Sequence, residues 1–458
     1  MKKILICILL LPLFIIAEID FDDDNRAVTL PPTIPAALQT PPTPPQPTPP
    51  AEHPAHKTVW TKPLIIDNNN HDFDGTSILK LHENIVYKPP LNYVYPPLYV
   101  NMPAAIIIAK DNITIDLSGF NLSLDPSSAS NFLVNMPTYG IAVYQGVKNL
   151  KIISTSLTSQ SNRQGSISGF SGFAIYMIGS NQSYNNADIF SQMIKNVWID
   201  NILVTQNISG IYINNALQVK ITNSNIIYNY SPRLSYGIYF AGVFDGLIHN
   251  CVVNQNTSYG DIYGICLQDT IAVTVEGCQT NLNRSLKNGN AIGLNVTATS
   301  NVSSYANIIN NCISNANLCA FINDKESIGF LLSNGTKHNT LQNCVTFYSS
   351  HGPSFANAPI PIDYPHGIGI KLENAPSNQI DKNKSGHHDN YGFYDNAIAS
   401  SSFYTNNTAY FNPTANYSVS IPTGTGVEPL PSILIYQDAL ETYDYRTPLF
   451  ANLEIKSR

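Results

Sequence analysis

The sequence predicts an all-β solenoid on two main observations. A pentad is written three times, as Ser209 to Ile213 (SGIYI), Tyr236 to Phe240 (YGIYF) and Tyr263 to Leu267 (YGICL), with its glycines 27 residues apart. Other positions keep the same step: Leu217, Phe244 and Ile271; Asn223, Asn250 and Gly277; Asn229, Asn256 and Asn283. The runs between them are short, alternating and apolar, and Asn and Gly punctuate them. Such a period marks a chain of small β units. One unit cannot bury its own apolar face, so the units must stack.

Composition narrows the partners. Of 458 residues only 12% are charged, and the formal net charge is −7. With no long basic run, nucleic acid is not an expected partner.

Taken from the N-terminus, Lys2 and Lys3 precede an apolar run from Ile4 to Ala17, which reads as a signal peptide over residues 1–17. The run is short for a membrane span, so export is expected, with an uncleaved anchor as the alternative. Residues 18–57 read as a Pro-rich tether, dominated by Pro, Thr and Ala between Pro31 and Pro54. It is either a spacer that holds the folded part off a surface or a passive linker. The coil, with its N-terminal cap, is expected over 58–425.

Thr76 to Tyr87 alternates like a strand and should cap the open end of the stack. Pro89 to Pro103 is a Tyr/Pro loop, and Ala104 to Leu124 supplies two strands and a turn. Rungs are then read at Gly140, Gly172, Gly210, Gly237, Gly264, Ala291, Ser327, Gly367 and Gly392, with a degenerate one over 403–420. Insertions belong in turns, because strands must keep register; the longest is Phe347 to His366. After Pro422 the repeat stops, and 426–458 is read as a C-terminal cap.

Cys251, Cys278, Cys312 and Cys344 fall in one repeat column, while Cys266 and Cys319 stand elsewhere. In-register side chains on stacked rungs point the same way, which suits a disulfide poorly. A column of buried free thiols acting as small apolar residues is expected. Asn-x-Ser/Thr sites such as Asn112, Asn207, Asn256 and Asn295 matter only on a glycosylating secretory route.

The run Ile106 to Leu122 (IIIAKDNITIDLSGFNL), the repeated Gly-Ile strands and the Asn-Cys turns together resemble the right-handed parallel β-helix (pectate lyase-like) superfamily over about residues 75–420. That group includes pectate lyases, polygalacturonases and secreted repeat proteins without assigned activity. The resemblance implies a right-handed coil of about ten rungs, on the order of 45–50 Å long at one strand spacing per rung. It implies no activity by itself. Polygalacturonases of this fold carry paired aspartates, Gly-His-Gly and Arg-Ile-Lys; here Gly386-His387-His388-Asp389 only grazes the second, and the third is missing. Calcium-dependent lyases pair an acidic cluster with an arginine, yet only Arg233 and Arg284 lie between Arg163 and Arg446. No catalytic residue of the superfamily is carried over.

Four candidate sites follow. If Ile211 and Ile213 point inward, Tyr212 and Asn214 point out. The outward face then gathers Tyr144, Tyr176, Tyr212, Asn214, Tyr239 and Gln268, rings and amides that suit sugars. Ordinary aromatic stacking beneath a loop is the competing reading. The columns read from the repeat place no Asp or Glu on that face. His249 and Glu276 share one slot in successive rungs and should meet as a surface hydrogen bond. His351, Asp363 and His366 in the long insertion stack over His387, His388 and Asp389 in the next turn. Imidazoles and carboxylates of this kind suit zinc, or simply form solvated turns. Asp67 to Asp74 mixes carboxylates and amides as calcium loops do, without EF-hand spacing. No cofactor is expected, and calcium or zinc is the ion the clusters would take. The leading expectation is an exported, non-enzymatic β-helix that presents a Tyr/Asn wall to a polysaccharide or cell-surface glycan as a monomer. The alternative is a polysaccharide hydrolase or lyase working through the late His/Asp turns.

Overall fold

The computed structural model describes residues 6–10, 13–17, 57–68, 78–90, 93–99, 101–128, 137–155, 164–179, 189–299, 303–319, 325–351, 367–396, 402–412, 414–419, 432–436 and 452–456. The chain divides into two units, Met1–Pro54 and Ala55–Arg458. In the first, Ile6–Leu10 pairs antiparallel with Leu13–Ala17. The tether from residue 18, Asp363 and His366 lie outside the described residues.

In the second unit the strand pairings are parallel, and each strand pairs with its counterpart one rung on. Stacked parallel strands joined by crossovers take the right-handed course. The second unit is a right-handed parallel β-helix. One wall runs through Leu64–Ile66, Ala104–Ile108, Tyr139–Val143, Phe173–Ile178, Ser209–Thr222, Ser235–His249, Ile262–Gln268, Ala291–Thr297, Ser327–Ser333, Gly367–Glu373, Tyr391–Asp395 and Ala415–Val419. Its first two strands precede the first rung read from the repeat. Lys57–Trp60 already pairs with Asn84–Tyr87, so order begins slightly before Trp60. At the far end Asn452–Lys456 pairs with both Thr408–Tyr410 and Ser432–Tyr436, which gives the last segment strand character.

Alternation decides what is inside. Ile141, Ile175, Ile211, Ile238, Ile265, Leu294, Phe330, Ile370 and Phe393 form one fully buried inward column. The observed register corrects the expected one at four rungs. Leu294 pairs with Ile265, so the counterpart of Gly264 is Gly293 and not Ala291. By the same pairings the slot holds Ala174, Gly329 and Gly369 where Gly172, Ser327 and Gly367 were expected. Each slip is two residues, which leaves every side chain on its expected face but moves it along the wall.

The glycine slot has a steric cause. A Cβ on Gly237 would lie against Val253 Cγ1 and 2.5 Å from the Gly264 carbonyl oxygen, which is backbone and cannot yield. Gly237→Ala should therefore destabilise the coil by at least about 2 kcal/mol, measured as a lowered denaturation midpoint.

Buried turns are satisfied by ladders. The side-chain oxygens of Asn229, Asn256, Asn283 and Asn317 accept the backbone N–H of Asn207, Asn229, Asn256 and Asn283 at 3.0–3.3 Å. The amide groups of Asn256 and Asn283 donate to the carbonyls of Ile226 and Val253. The cysteine column is a second ladder. Cys278 and Cys312 point Sγ at the Ile248 and Val275 carbonyls at 3.5 Å, and Asn383 and Asn407 do the same job further on with Nδ2. Cys251, Cys266, Cys278, Cys312, Cys319 and Cys344 are buried and free. Asn207, Asn256 and Asn295 are buried, so in the folded chain they are closed to glycosylation, whereas Asn112 is exposed.

Candidate functional site

The outward face of the first wall follows from the register. One column is Tyr176, Tyr212, Tyr239, Cys266, Asn295, Leu331, Lys371 and Tyr394. The column beside it is Tyr236, Tyr263, Ile292, Ile328, Ile368 and Tyr391. On the other side lie Asn214, Ala241, Gln268 and Thr297, and further on Ser333 beside Glu373.

The tyrosines form a continuous row of ring contacts, stacked except for the edge-on pair Tyr212–Tyr239. Ring centroids are 4.1 Å apart from Tyr139 to Tyr176, 5.2 Å from Tyr176 to Tyr212 and 5.1 Å from Tyr212 to Tyr239. Tyr236 lies 4.3 Å from Tyr239 and 5.2 Å from Tyr263. The early end is covered, because Tyr95, Tyr99 and Met102 of the Tyr/Pro loop pack on Ile107, Tyr139 and Ala142. Tyr144 and Tyr176 are packed against this patch, and Tyr144 meets the edge of Tyr99 at 5.7 Å.

Past Tyr239 the wall steps down. Large rings give way to Cys266 and Asn295, and height returns at Leu331 and Lys371. The step leaves a groove of about 370 Å³, within the size range of small-molecule clefts. Tyr236 and Tyr263 border it on one side, Glu326 and Glu373 on the other, and Asn295 lies on its floor.

Asn295 is only 5% exposed, and its Oδ1 is buried without a hydrogen-bond partner. Its Nδ2 lies 3.7 Å from Cys266 Sγ. Burial pushes the Cys266 thiol up to about 12, so it stays protonated and is no nucleophile. Tyr239 donates its hydroxyl to Gln268 Oε1 at 2.7 Å, and Asn214 donates to the Tyr212 hydroxyl at 2.9 Å.

The acidic end is a trio. Lys371 Nζ stands 2.6 Å from Glu326 Oε2 and 3.4 Å from Glu373 Oε2. The lysine side chain is 7% exposed and Glu373 41%. Burial raises the Glu326 carboxyl above its ordinary range, and the Lys371 charge pulls back only part of that shift. The contacts hold the two carboxylates no more than about 6 Å apart around one ammonium. The face therefore does carry carboxylates, against expectation. Glu326 stands just before its strand and Glu373 two residues beyond Lys371, both outside the columns drawn from the slipped register.

Of the late His/Asp group, the described members do not come together. His388 is 1% exposed and occupies a rung of the asparagine ladder. Its Nδ1 accepts the Ser349 N–H at 3.1 Å, its Nε2–H donates to the Thr346 carbonyl at 3.0 Å, and its own N–H donates to Asn412 Oδ1 at 3.0 Å. Burial lowers its pKa to about 3, so it is a neutral structural imidazole. His387 sits outside in a left-handed turn position (φ 56°), stacked between Tyr348 and Phe411. Asp389 is exposed, and His351 pairs as a strand residue with Cys319. Among the described residues no three His, Cys, Asp or Glu side chains are grouped to hold a metal ion.

His249 and Glu276 are neighbours on the surface as expected, but Nδ1 and Oε2 stand 3.6 Å apart, beyond hydrogen-bond distance. Asp67 accepts the Tyr99 hydroxyl at 3.2 Å; residues 69–74 of that candidate lie outside the described residues.

No family model and no curated protein matches the chain. Solved structures with a similar course include a periplasmic alginate epimerase, AlgG, at 12% identity over 89% of this chain and 79% of that one, with a TM-score of 0.46. The Dettilon tailspike protein aligns at 12% identity over 87% and 61%, with a TM-score of 0.45. PfbA, a surface adhesin of Streptococcus pneumoniae, aligns at 13% over 76% and 84%, with a TM-score of 0.35. None is similar enough in sequence to carry a site residue across.

Proposed function

We propose that the protein is an exported β-helix that binds a glycan across the tyrosine wall, with the groove over Cys266 and Asn295 as its anchor. The observation that carries this is the step itself. Two stacked tyrosine rings border a floor whose single buried amide oxygen lacks a partner. Flat rings receive the apolar faces of sugars, and an unpaired acceptor receives a hydroxyl. The expected result is that Tyr263→Ala weakens binding to whichever polysaccharide the full chain retains by about tenfold, while Tyr230→Ala, on a short strand of another sheet, leaves it unchanged. Equal binding by both variants would place the glycan elsewhere.

A second reading has one observation in its favour. Glu326 holds a raised carboxyl pKa beside a second carboxylate, the arrangement of a general acid with its partner. This moves the polysaccharide-degrading alternative from the late turns to the groove. It predicts new reducing ends from a polysaccharide panel, lost in Glu326→Gln.

A further inference from the structure

The groove has a charge and a hydrogen-bonding polarity of its own, and both point to one class of sugar. Its charged lining side chains, among the described residues, are the carboxylates Glu326 and Glu373. The nearby cation, Lys371, is almost wholly buried and already engaged by both carboxylates, so it is not offered to a ligand. The trio keeps one net negative charge when both carboxylates are ionised. The unpaired atom on the floor, Asn295 Oδ1, is also an acceptor. The two carboxylates and this amide oxygen therefore all ask for a donor.

A uronate would bring a third carboxylate to this site, where no lining residue among those described is a cation. The chain's net charge of −7 opposes polyanions further. An ammonium group supplies what is missing. It carries three donors and pairs with the half-exposed Glu373 carboxylate. We propose that the groove selects an amino sugar with a free ammonium, within a glycan chain, over neutral and acidic sugars. This rests on the glycan-binding reading above.

The test titrates the full chain with glucosamine oligomers, N-acetylglucosamine oligomers and oligogalacturonate of equal length, at a pH where the free amine is protonated. The expected result is about tenfold tighter binding of the glucosamine oligomer than of the acetylated one, with no binding of the uronate. Glu373→Gln should remove most of that preference and leave the acetylated oligomer bound as before. The remote surface change Asp245→Asn should leave the preference intact. Equal affinity for the two hexosamine oligomers, or an equal loss in Asp245→Asn, overturns the proposal. Tighter binding of oligogalacturonate overturns it while glycan binding stands. Failure of all three, and of every other polysaccharide, overturns both readings. Salt dependence of the wild-type preference serves as the check if Glu373→Gln does not fold.

Discussion

His388→Ala is expected to lower stability by about 3–5 kcal/mol, while His388→Asn is expected to lose less than about 1 kcal/mol. Alanine removes a buried ring and leaves the Ser349 N–H and the Thr346 carbonyl without partners in the core. Asparagine restores both, since its Oδ1 and Nδ2 take the roles of Nδ1 and Nε2–H, as they do at Asn256 and Asn283. The same swap separates a ladder residue from a metal ligand by its pH dependence. The folded pKa of His388, about 3, lies below the ordinary histidine value, so the unfolded chain binds the proton first. The stabilisation is complete above about pH 6.5 and falls away as pH drops toward 3, on the order of 1.4 kcal/mol per pH unit. The wild type should therefore lose more stability than His388→Asn across that window. Denaturation midpoints at several pH values measure it, and hydrogen exchange at the Ser349 amide reads the local opening. A wild type and an asparagine variant that fall in parallel would remove the ladder assignment.

The difference between His387 and His388 shows what a single sequence conveys and what it withholds. The step from Gly210 to Gly237 to Gly264 was enough for the stacked architecture, and period-2 alternation placed Ile211 and Tyr212 on opposite faces. The His249–Glu276 contact also followed from counting back from the turn, because no insertion intervenes there. Beyond Gly264 the count drifted, since the turn before Ala291 gained two residues and alanine filled the expected slot. The physical rule that the slot lies against the next rung's carbonyl selects Gly293, Gly329 and Gly369. With that register Asn295, Leu331 and Lys371 fall level with Cys266 and not with Gln268, and the groove's acidic end becomes readable. His388 was hidden for a different reason. A histidine in a turn looks like a ligand until the ladder it interrupts is seen, and the interruption at Ser349 concealed the ladder. The covering of Tyr144 by Tyr99 has no sequence signal, because nothing local tells a loop which wall it will fold over.

Lys371→Met should have an effect of similar size and opposite pH dependence. Methionine fills the space of the nearly buried side chain but strands the Glu326 carboxylate, which sits in a desolvated position and relies on Lys371 for its charge partner. Breaking a buried pair from one side costs about 3–5 kcal/mol. The loss is not uniform in pH. Without the lysine charge, the Glu326 carboxyl rises further above its ordinary value, so in the folded variant it keeps its proton where the unfolded chain gives it up. Stability held below the ordinary carboxyl range is then lost as pH rises through that range toward the raised folded value. The variant should match the wild type most closely near pH 4 and fall furthest behind at neutral pH. Adding Glu326→Gln removes the stranded charge and should recover most of the neutral-pH loss. Thermal or denaturant midpoints at pH 4 and pH 7 for the wild type, the single variant and the double variant measure all of this. A Lys371→Met variant equally destabilised at both pH values would mean that the lysine acts through packing and not as the partner of Glu326. The groove would then lack the electrostatic coupling on which its acidic end depends.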